Sequence, residues 1–459
     1  MSFIIGANSA VAGGFDVDNS CNFELGSLHK SVSTPSTTFT ISVWVKLSNQ
    51  YVAASSIGQR YFWTGGGAGG ASGAKWNSGN TGYLDFYNEG TGHVDDGTDR
   101  NYRDPSAWYH WVWKNAGGTG TLYVNGVQQG ATFSMGPLIG SGGPAVINIG
   151  RYGADTVYAP MTMAEFVYLD GTGATPTSFG EFDEDSGVWK PIDVSGLTFG
   201  TNGFHLDFSN SSALGTDANG GTALTKTATL SQLTDSPTNN FATLNPLEYS
   251  GGGKTFTIGN CKQFLTGVAN FTRSTIGVAS GKWYCEVKLI AGLRAMYGIS
   301  SYLSNAASNY LGELGNTTVG YSYGIIGNTG RLYHAGGSTA TWVSTVAADD
   351  IVMLAMDLDN YKIYFGKNGT WERSGDPTSG ATGTGAYTII APSLNGTGFY
   401  QFAFGCNSTS EDNDSEMNFG NPAFTVSSGN ADGDGYGNFE YAVPSGYFSL
   451  CSKNLAEYG

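Results

Sequence analysis

Four stretches of this 459-residue sequence place side chains in patterns that could do chemistry. In Glu181-Phe182-Asp183-Glu184-Asp185, strand-like alternation would put Glu181, Asp183 and Asp185 on one face. Paired carboxylates about 5 to 5.5 Å apart are what a retaining glycosidase needs. The run follows Pro176-Thr177-Ser178-Phe179-Gly180, however, and reads as a solvated acidic turn. Gly65-Gly66-Gly67-Ala68-Gly69-Gly70 satisfies GxGxxG in form, but no helical period follows to bring a helix N-terminus to a pyrophosphate. Gly251-Gly252-Gly253-Lys254-Thr255 resembles the end of a phosphate-binding loop, yet Glu248 stands where that loop needs its first glycine. Asn430-Ala431-Asp432-Gly433-Asp434-Gly435 matches the first half of a calcium loop, leaving Asp432 and Asp434 as weak metal candidates. Position 12 of that loop is Tyr441 instead of a bidentate Glu, which favours a Gly-Asp turn. His29, His93, His110, His205 and His334 form no metal-binding pair, and GxSxG is absent from the sequence. The expectation is therefore no catalytic residue, no metal and no cofactor.

Aromatic side chains are the more informative set. Trp63, Trp76, Tyr83 and Tyr87 flank the Gly-rich loops of the first half, and Tyr302, Tyr310, Tyr321 and Tyr323 lie near those of the second. Flat rings beside Asn and Asp suit the apolar faces and hydroxyls of sugars, so these eight are the carbohydrate-binding candidates. Rings near strands also build cores, and sequence leaves that alternative open.

The elements that must position these residues are strands. Gly contributes 70 residues and aromatics 13 %, while charged residues are 13 % against roughly 25 % in an average globular protein. That composition disfavours helical bundles and disorder and favours an all-β fold. Net charge is −16, and the 21 Lys and Arg form no basic cluster, which excludes a nucleic-acid partner. Apolar runs such as 351–356 are far short of the roughly 18 residues of a membrane span, so no membrane insertion is expected. The N-terminal MSFIIGANSAVAGG lacks a basic residue ahead of its apolar run and fails as a secretory signal. Cys21, Cys261, Cys285, Cys406 and Cys451 are odd in number and without CxxC spacing, which suits free thiols in a reducing compartment.

Phe39, Ile41, Val43 and Val45 alternate with Thr40, Ser42 and Trp44, a period-two strand signal. Asn125-Gly126 and Asn368-Gly369, each flanked by β-formers, predict tight hairpins. The polar run 234–240 reads as a break between halves. These signals predict two tandem antiparallel β-sandwich (jelly-roll) domains, residues 1–240 and 241–425, with 426–459 as a C-terminal tail packed on the second domain or on a neighbour.

At the level of phrases, FTISVWVKL, DPSAWYHWVWKN, TLYVNGVQQ, INIGRYG and MAEFVYLDG resemble a laminin-G or concanavalin A-like jelly roll. STIGVASGKWYCEVKL, MYGISS, DDIVMLAMDLDNYKIYFGKNGTW and EMNFGNP resemble a SPRY domain. The connecting LTFGTNGFHLDF, DSPTNNFATLNPL and YAVPSGYFSLC are similar to phrases of large virion proteins of tailed phages, marine and cyanobacterial ones in particular. The resemblance implies a non-enzymatic virion protein, a fibre, spike or head decoration, made in bacterial cytoplasm and presenting lectin-like domains to a host-surface glycan. A purely architectural virion protein is the rival reading, and a polysaccharide depolymerase the least favoured. Other virion proteins are the expected partners. A homo-oligomer, with a trimer favoured, is expected to use the aromatic segment 436–447 as its contact.

Overall fold

The computed structural model describes residues 14–48, 60–66, 72–77, 83–88, 92–93, 100, 102, 104–138, 146–153, 158–248, 253–301, 311–312, 315–316, 320–334 and 337–459. The fold is all-β, and its compact units divide between Asn240 and Phe241.

In the unit that ends at Asn240, the first sheet runs Val127–Ser134, Thr119–Val124, Trp108–Ala116, Phe39–Leu47, Met161–Asp170, Ser20–Asn22 and Ser231–Leu233, with Phe204–Leu206 also on Met161–Asp170. Facing it is the order Thr225–Ala228, Gly26–Ser31, Val146–Ile149, Arg60–Gly65, Ser72–Asn77, Tyr83–Asn88 and Gly92–His93. Phe39, Ile41, Val43 and Val45 point between the sheets and meet Leu28, Phe62, Ile147 and Ile149 in one core. The other side of the same strand is equally buried. Trp44 packs there with Val17, Trp108 and Trp189, because residues 174–200 cross back over the outside of the sheet. Each large apolar side chain so covered contributes about 1.5–3 kcal/mol that a solvent-facing sheet would forgo.

The run 234–240 is strapped down rather than being a loose linker. Asp235 pairs with buried Lys46 at 2.7 Å and accepts from the Trp108 indole, while Lys46 also donates to Asn240. The Asn240 amide in turn donates to the Ser106 carbonyl. A polar sequence marks a break to the eye, but here its polar atoms are spent on an internal ion-pair network.

The second unit repeats the two-sheet plan. One sheet runs Lys254–Thr257, Lys262–Leu265, Asn413–Asn418, Lys282–Ala291, Ile351–Asp357, Lys362–Lys367 and Thr370–Trp371, joined by Tyr387–Thr388 and, in the one parallel pairing described, Phe448–Ser449. The other runs Asn270–Arg273, Gln401–Cys406, Ala295–Ser300, Gly320–Ile326, Arg331–His334 and Gly337–Thr341, with Gly315–Asn316 on Gly320–Ile326. Trp283, Cys285, Val287, Tyr297, Ile299, Leu354 and Phe402 fill the space between.

The C-terminal segment is an outer cover for this unit. Phe439 and Tyr447 bury against Tyr284, Met353 and Tyr364, and the short helix Ser452–Tyr458 ends the chain. Glu286, itself buried, fastens the cover: its carboxylate accepts from the backbone amides of Glu440 and Tyr441, the Tyr284 hydroxyl and the Asn418 amide. Within the segment expected to form a subunit contact, Phe439 and Tyr447 are buried inside this unit, whereas Tyr436 and Tyr441 are half-buried.

Both Asn-Gly turns form as the sequence predicts, with positive φ at Asn125, Gly126, Asn368 and Gly369. In each, the Asn amide donates to, and its side-chain oxygen accepts from, one residue of the adjoining strand, His110 in the first unit and Ile351 in the second. Each turn glycine also lies against an aromatic ring of the covering segment. A Cβ on Gly126 would stand 2.5 Å from Trp189, and one on Gly369 would stand 2.9 Å from Tyr441.

Candidate functional site

The acidic run folds into the hairpin Gly180–Phe182 with Trp189–Pro191. Asp183 closes its turn: Oδ1 accepts from the Ser186 amide and hydroxyl and the Asp185 amide, and Oδ2 from Lys190 at 3.1 Å. The Ser186 hydrogen bonds, followed by that of Lys190, lower its pKa to about 2. Lys190 also holds Glu181 at 3.4 Å. A carboxylate held that low is a poor proton donor, so Asp183 serves this hairpin as a clip.

The clip has a consequence for the surface beside it. Phe182, 52 % exposed, stands edge-on to Trp189 with ring centres 4.9 Å apart. Across from it Val127, just past the Asn125-Gly126 turn, is 55 % exposed. Together with Tyr102, Gln128 and Gln129 they line an open pocket of about 480 Å³. Its polar wall is prearranged. The Tyr102 hydroxyl donates to Gln129 Oε1 at 2.8 Å, while the Gln129 amide donates to the Val127 and Gln128 carbonyls. The Gln128 amide donates to the Gly130 carbonyl, and its side-chain oxygen is an acceptor by chemistry. One exposed ring, one aliphatic side chain and a row of amides is a surface suited to a molecule with an apolar face and hydroxyl edges.

Behind the pocket floor lies a buried Ser–His pair that looks like a hydrolase dyad and is not one. His110 Nε2 is 2.7 Å from Ser42 Oγ, both residues being wholly buried. The Trp189 indole can only donate, and it donates to His110 Nδ1 at 2.9 Å. Nδ1 is therefore the acceptor and Nε2–H the donor, so the imidazole gives a proton bond to Ser42 and cannot take its proton. Burial lowers the His110 pKa to about 3, keeping the ring neutral. The ring stacks between Trp44, centroid distance 4.8 Å, and Trp189, 5.9 Å. Its role is to fix Trp189, on which Phe182 and the Gly126 turn rest.

A second pocket, about 460 Å³, is lined by Ser33, Thr34, Ser36, Asp170, Gly171, Gly200 and Thr201. Its carboxylate is already engaged. Asp170 accepts from the Ser36 amide and the Tyr168 hydroxyl on one oxygen, and from the backbone and side-chain amides of Asn202 on the other. With about four lone-pair directions taken, it has nothing left for a ligand.

The residues singled out in the sequence fare unevenly. Trp63 is a core residue, wholly buried against Phe39, Phe86 and Trp113, which removes it from any sugar site. Tyr323 is also buried, its hydroxyl accepting from the Ile390 amide, and Tyr321 is half-buried against the same core. Trp76 lies in strand Ser72–Asn77, and Tyr83 and Tyr87 lie in Tyr83–Asn88; their side chains fall outside the described set. Tyr302 and Tyr310 lie outside the described residues. Asp432 is not a metal ligand in waiting: one oxygen accepts from the Asp434 and Tyr436 amides, and the other from the Ser449 amide and hydroxyl and the Asn454 amide. Asp434 interacts with the Tyr458 hydroxyl instead. Phe182, Val127 and Gln128, which line the first pocket, are not among the sequence candidates. Their only signals were an aromatic inside an acidic turn and the positions just past an Asn-Gly.

Residues 25–172 match the concanavalin A-like lectin/glucanases superfamily in its laminin G form. No curated protein matches the chain in sequence. Among solved structures, the SPRY domain of human HERC1 is similar at 12 % identity, over 38 % of this chain and 96 % of that one, with a TM-score of 0.27. Domain 4 of AbnA, a GH43 extracellular arabinanase from Geobacillus stearothermophilus in complex with arabinotriose, is similar at 16 % identity over 31 % and 65 %, TM-score 0.26. The SAP-like pentraxin of Limulus polyphemus is similar at 13 % over 34 % and 78 %, TM-score 0.26. The residues matched by that superfamily all lie in the first unit.

Proposed function

We propose that the chain is a non-enzymatic virion protein of a tailed phage that binds a host-surface glycan through the pocket beside the Asn125-Gly126 turn. The observation that carries this reading is the pairing of exposed Phe182 and Val127 with the polar side chain of Gln128, on a floor fixed by the Trp189–His110–Ser42 chain. A sugar ring offers C–H groups to Phe182 and hydroxyls to Gln128, and rigid side chains reduce the ordering cost of holding it. The match of residues 25–172 to a lectin-type superfamily supports the class of ligand. The virion setting rests on the phrase-level resemblance alone. One such pocket binds a single sugar weakly, and display of several copies on a particle raises avidity by about 10² to 10⁴ without any new contact.

The test is retention of the full chain, displayed in many copies on beads, on an array of neutral oligosaccharides and cyanobacterial lipopolysaccharides. Wild-type protein is expected to be retained, and Phe182→Ala and Gln128→Ala each to lose at least tenfold. Retention that survives both substitutions, or release of reducing ends from the array, would overturn the reading.

A further inference from the structure

We infer that the second unit carries its own site, for a carboxylate-bearing sugar, centred on Arg373. The central carbon of this guanidinium lies over the Trp342 ring, 4.0 Å from its centroid. A cation over a ring face is held by the ring without consuming its N–H groups, which can then pair with a planar carboxylate. Among the described residues Arg373 makes no ion pair, although two acids stand close in sequence. Glu372 accepts instead from the Ser344 hydroxyl, and Asp376 caps its own turn through Thr378. On a chain of net charge −16, an exposed arginine kept from both neighbouring carboxylates is a conspicuous cation.

The backbone points the same way. Arg373 and Ser374 are consecutive non-glycine residues with left-handed φ, 59° and 51°. Such conformations are unfavourable for non-glycine residues and persist where the surroundings impose them. Here the imposing contacts are the Asp376 amide to the Thr384 carbonyl, and Gly385, whose Cα is so near that a Cβ would lie 2.9 Å from the Arg373 carbonyl oxygen. The strain serves to hold Arg373 over Trp342.

Half-buried rings continue the surface. Tyr387 meets Trp342 edge-on at 5.3 Å, and His334 lies 5.2 Å from Tyr387. A cation fork followed by an aromatic step fits a pyranose whose ring carbon bears a carboxylate, with the acid on Arg373 and the sugar face toward Tyr387. This site is separate in the chain from the pocket at Phe182 and stands independently of it.

The experiment is calorimetric titration of the full chain with oligogalacturonate and with its methyl ester, which keeps the sugar and removes the charge. The acid is expected to bind, more weakly as salt rises, and the ester at least tenfold less. Arg373→Ala is expected to remove binding of the acid, and Arg373→Lys, which keeps the charge without the fork, to weaken it about tenfold, both with the wild-type melting temperature. Phe182→Ala is expected to leave the titration unchanged, which separates this site from the glycan pocket. No binding of the acid, equal binding of the ester, indifference to both Arg373 variants, or equally tight binding of polyglutamate would overturn the assignment, the last by making the surface a peptide-acid site.

Discussion

The neutral His110 at the floor of the first pocket makes a measurable demand on pH. Its pKa falls from 6.5 to about 3 on folding, because the ring is buried between two indoles, with no counter-ion among the described residues. The unfolded chain therefore binds one more proton than the folded chain between those values, and stability must fall as pH drops through that window. Integrating the linkage for one such site gives a loss of about 2.5 kcal/mol between pH 6 and pH 4. His110→Gln supplies the control. Its amide oxygen can accept from Trp189, its NH₂ can donate to Ser42, and it does not titrate. Urea unfolding of the full chain, followed by tryptophan fluorescence, is compared for the two proteins at both pH values, taking the transition that the substitution shifts. The wild-type advantage over the variant is expected to shrink by about 2.5 kcal/mol on going to pH 4. A difference that stays constant with pH would mean that the imidazole titrates normally in the fold. The donor assignment to Ser42 would then fail, and with it the argument that the pair is structural.

Two other perturbations address the covers. Gly126→Ala places a Cβ in a left-handed backbone and into the Trp189 ring, and is expected to destabilise the first unit by about 2–5 kcal/mol, seen as a lowered urea midpoint and a red-shifted indole emission. Glu286→Gln turns an NH₂ toward backbone amides that need an acceptor. It is expected to cost about 1–3 kcal/mol per orphaned amide, with faster hydrogen exchange confined to 426–459 and to the strands it covers; unchanged exchange there would show that the carboxylate does not fasten the cover.

The parts of this fold that were legible in the sequence are those governed by local rules. Period-two alternation identified the Phe39 strand, and positive-φ chemistry identified both Asn-Gly turns. Neither signal reports what lies outside a sheet. The side of the Phe39 strand carrying Thr40, Ser42 and Trp44 is buried because residues 174–200 return over it, a contact set by topology. The same limit explains the site residues. Trp63 resembles a sugar platform beside a glycine-rich loop, yet its strand faces inward; Phe182 resembles turn filler, yet the Asp183–Lys190 clip holds it out in water. Arg373 carries no sequence signal, since its position depends on two left-handed residues and on a tryptophan from another loop.

The glycine seats under Trp189 and Tyr441 give the two covers a proofreading character. Hairpins close in about 1–10 μs from local contacts, whereas covers that arrive from far along the chain must wait for long-range closure. Each ring seats against a turn glycine at which a Cβ would stand in its way, so the cover closes only over a turn that keeps that position bare. A chain with a misformed turn is left displaying an unseated indole or phenol together with the bare outer sheet beneath it. That exposed apolar surface distinguishes a defective copy from one whose cover has closed.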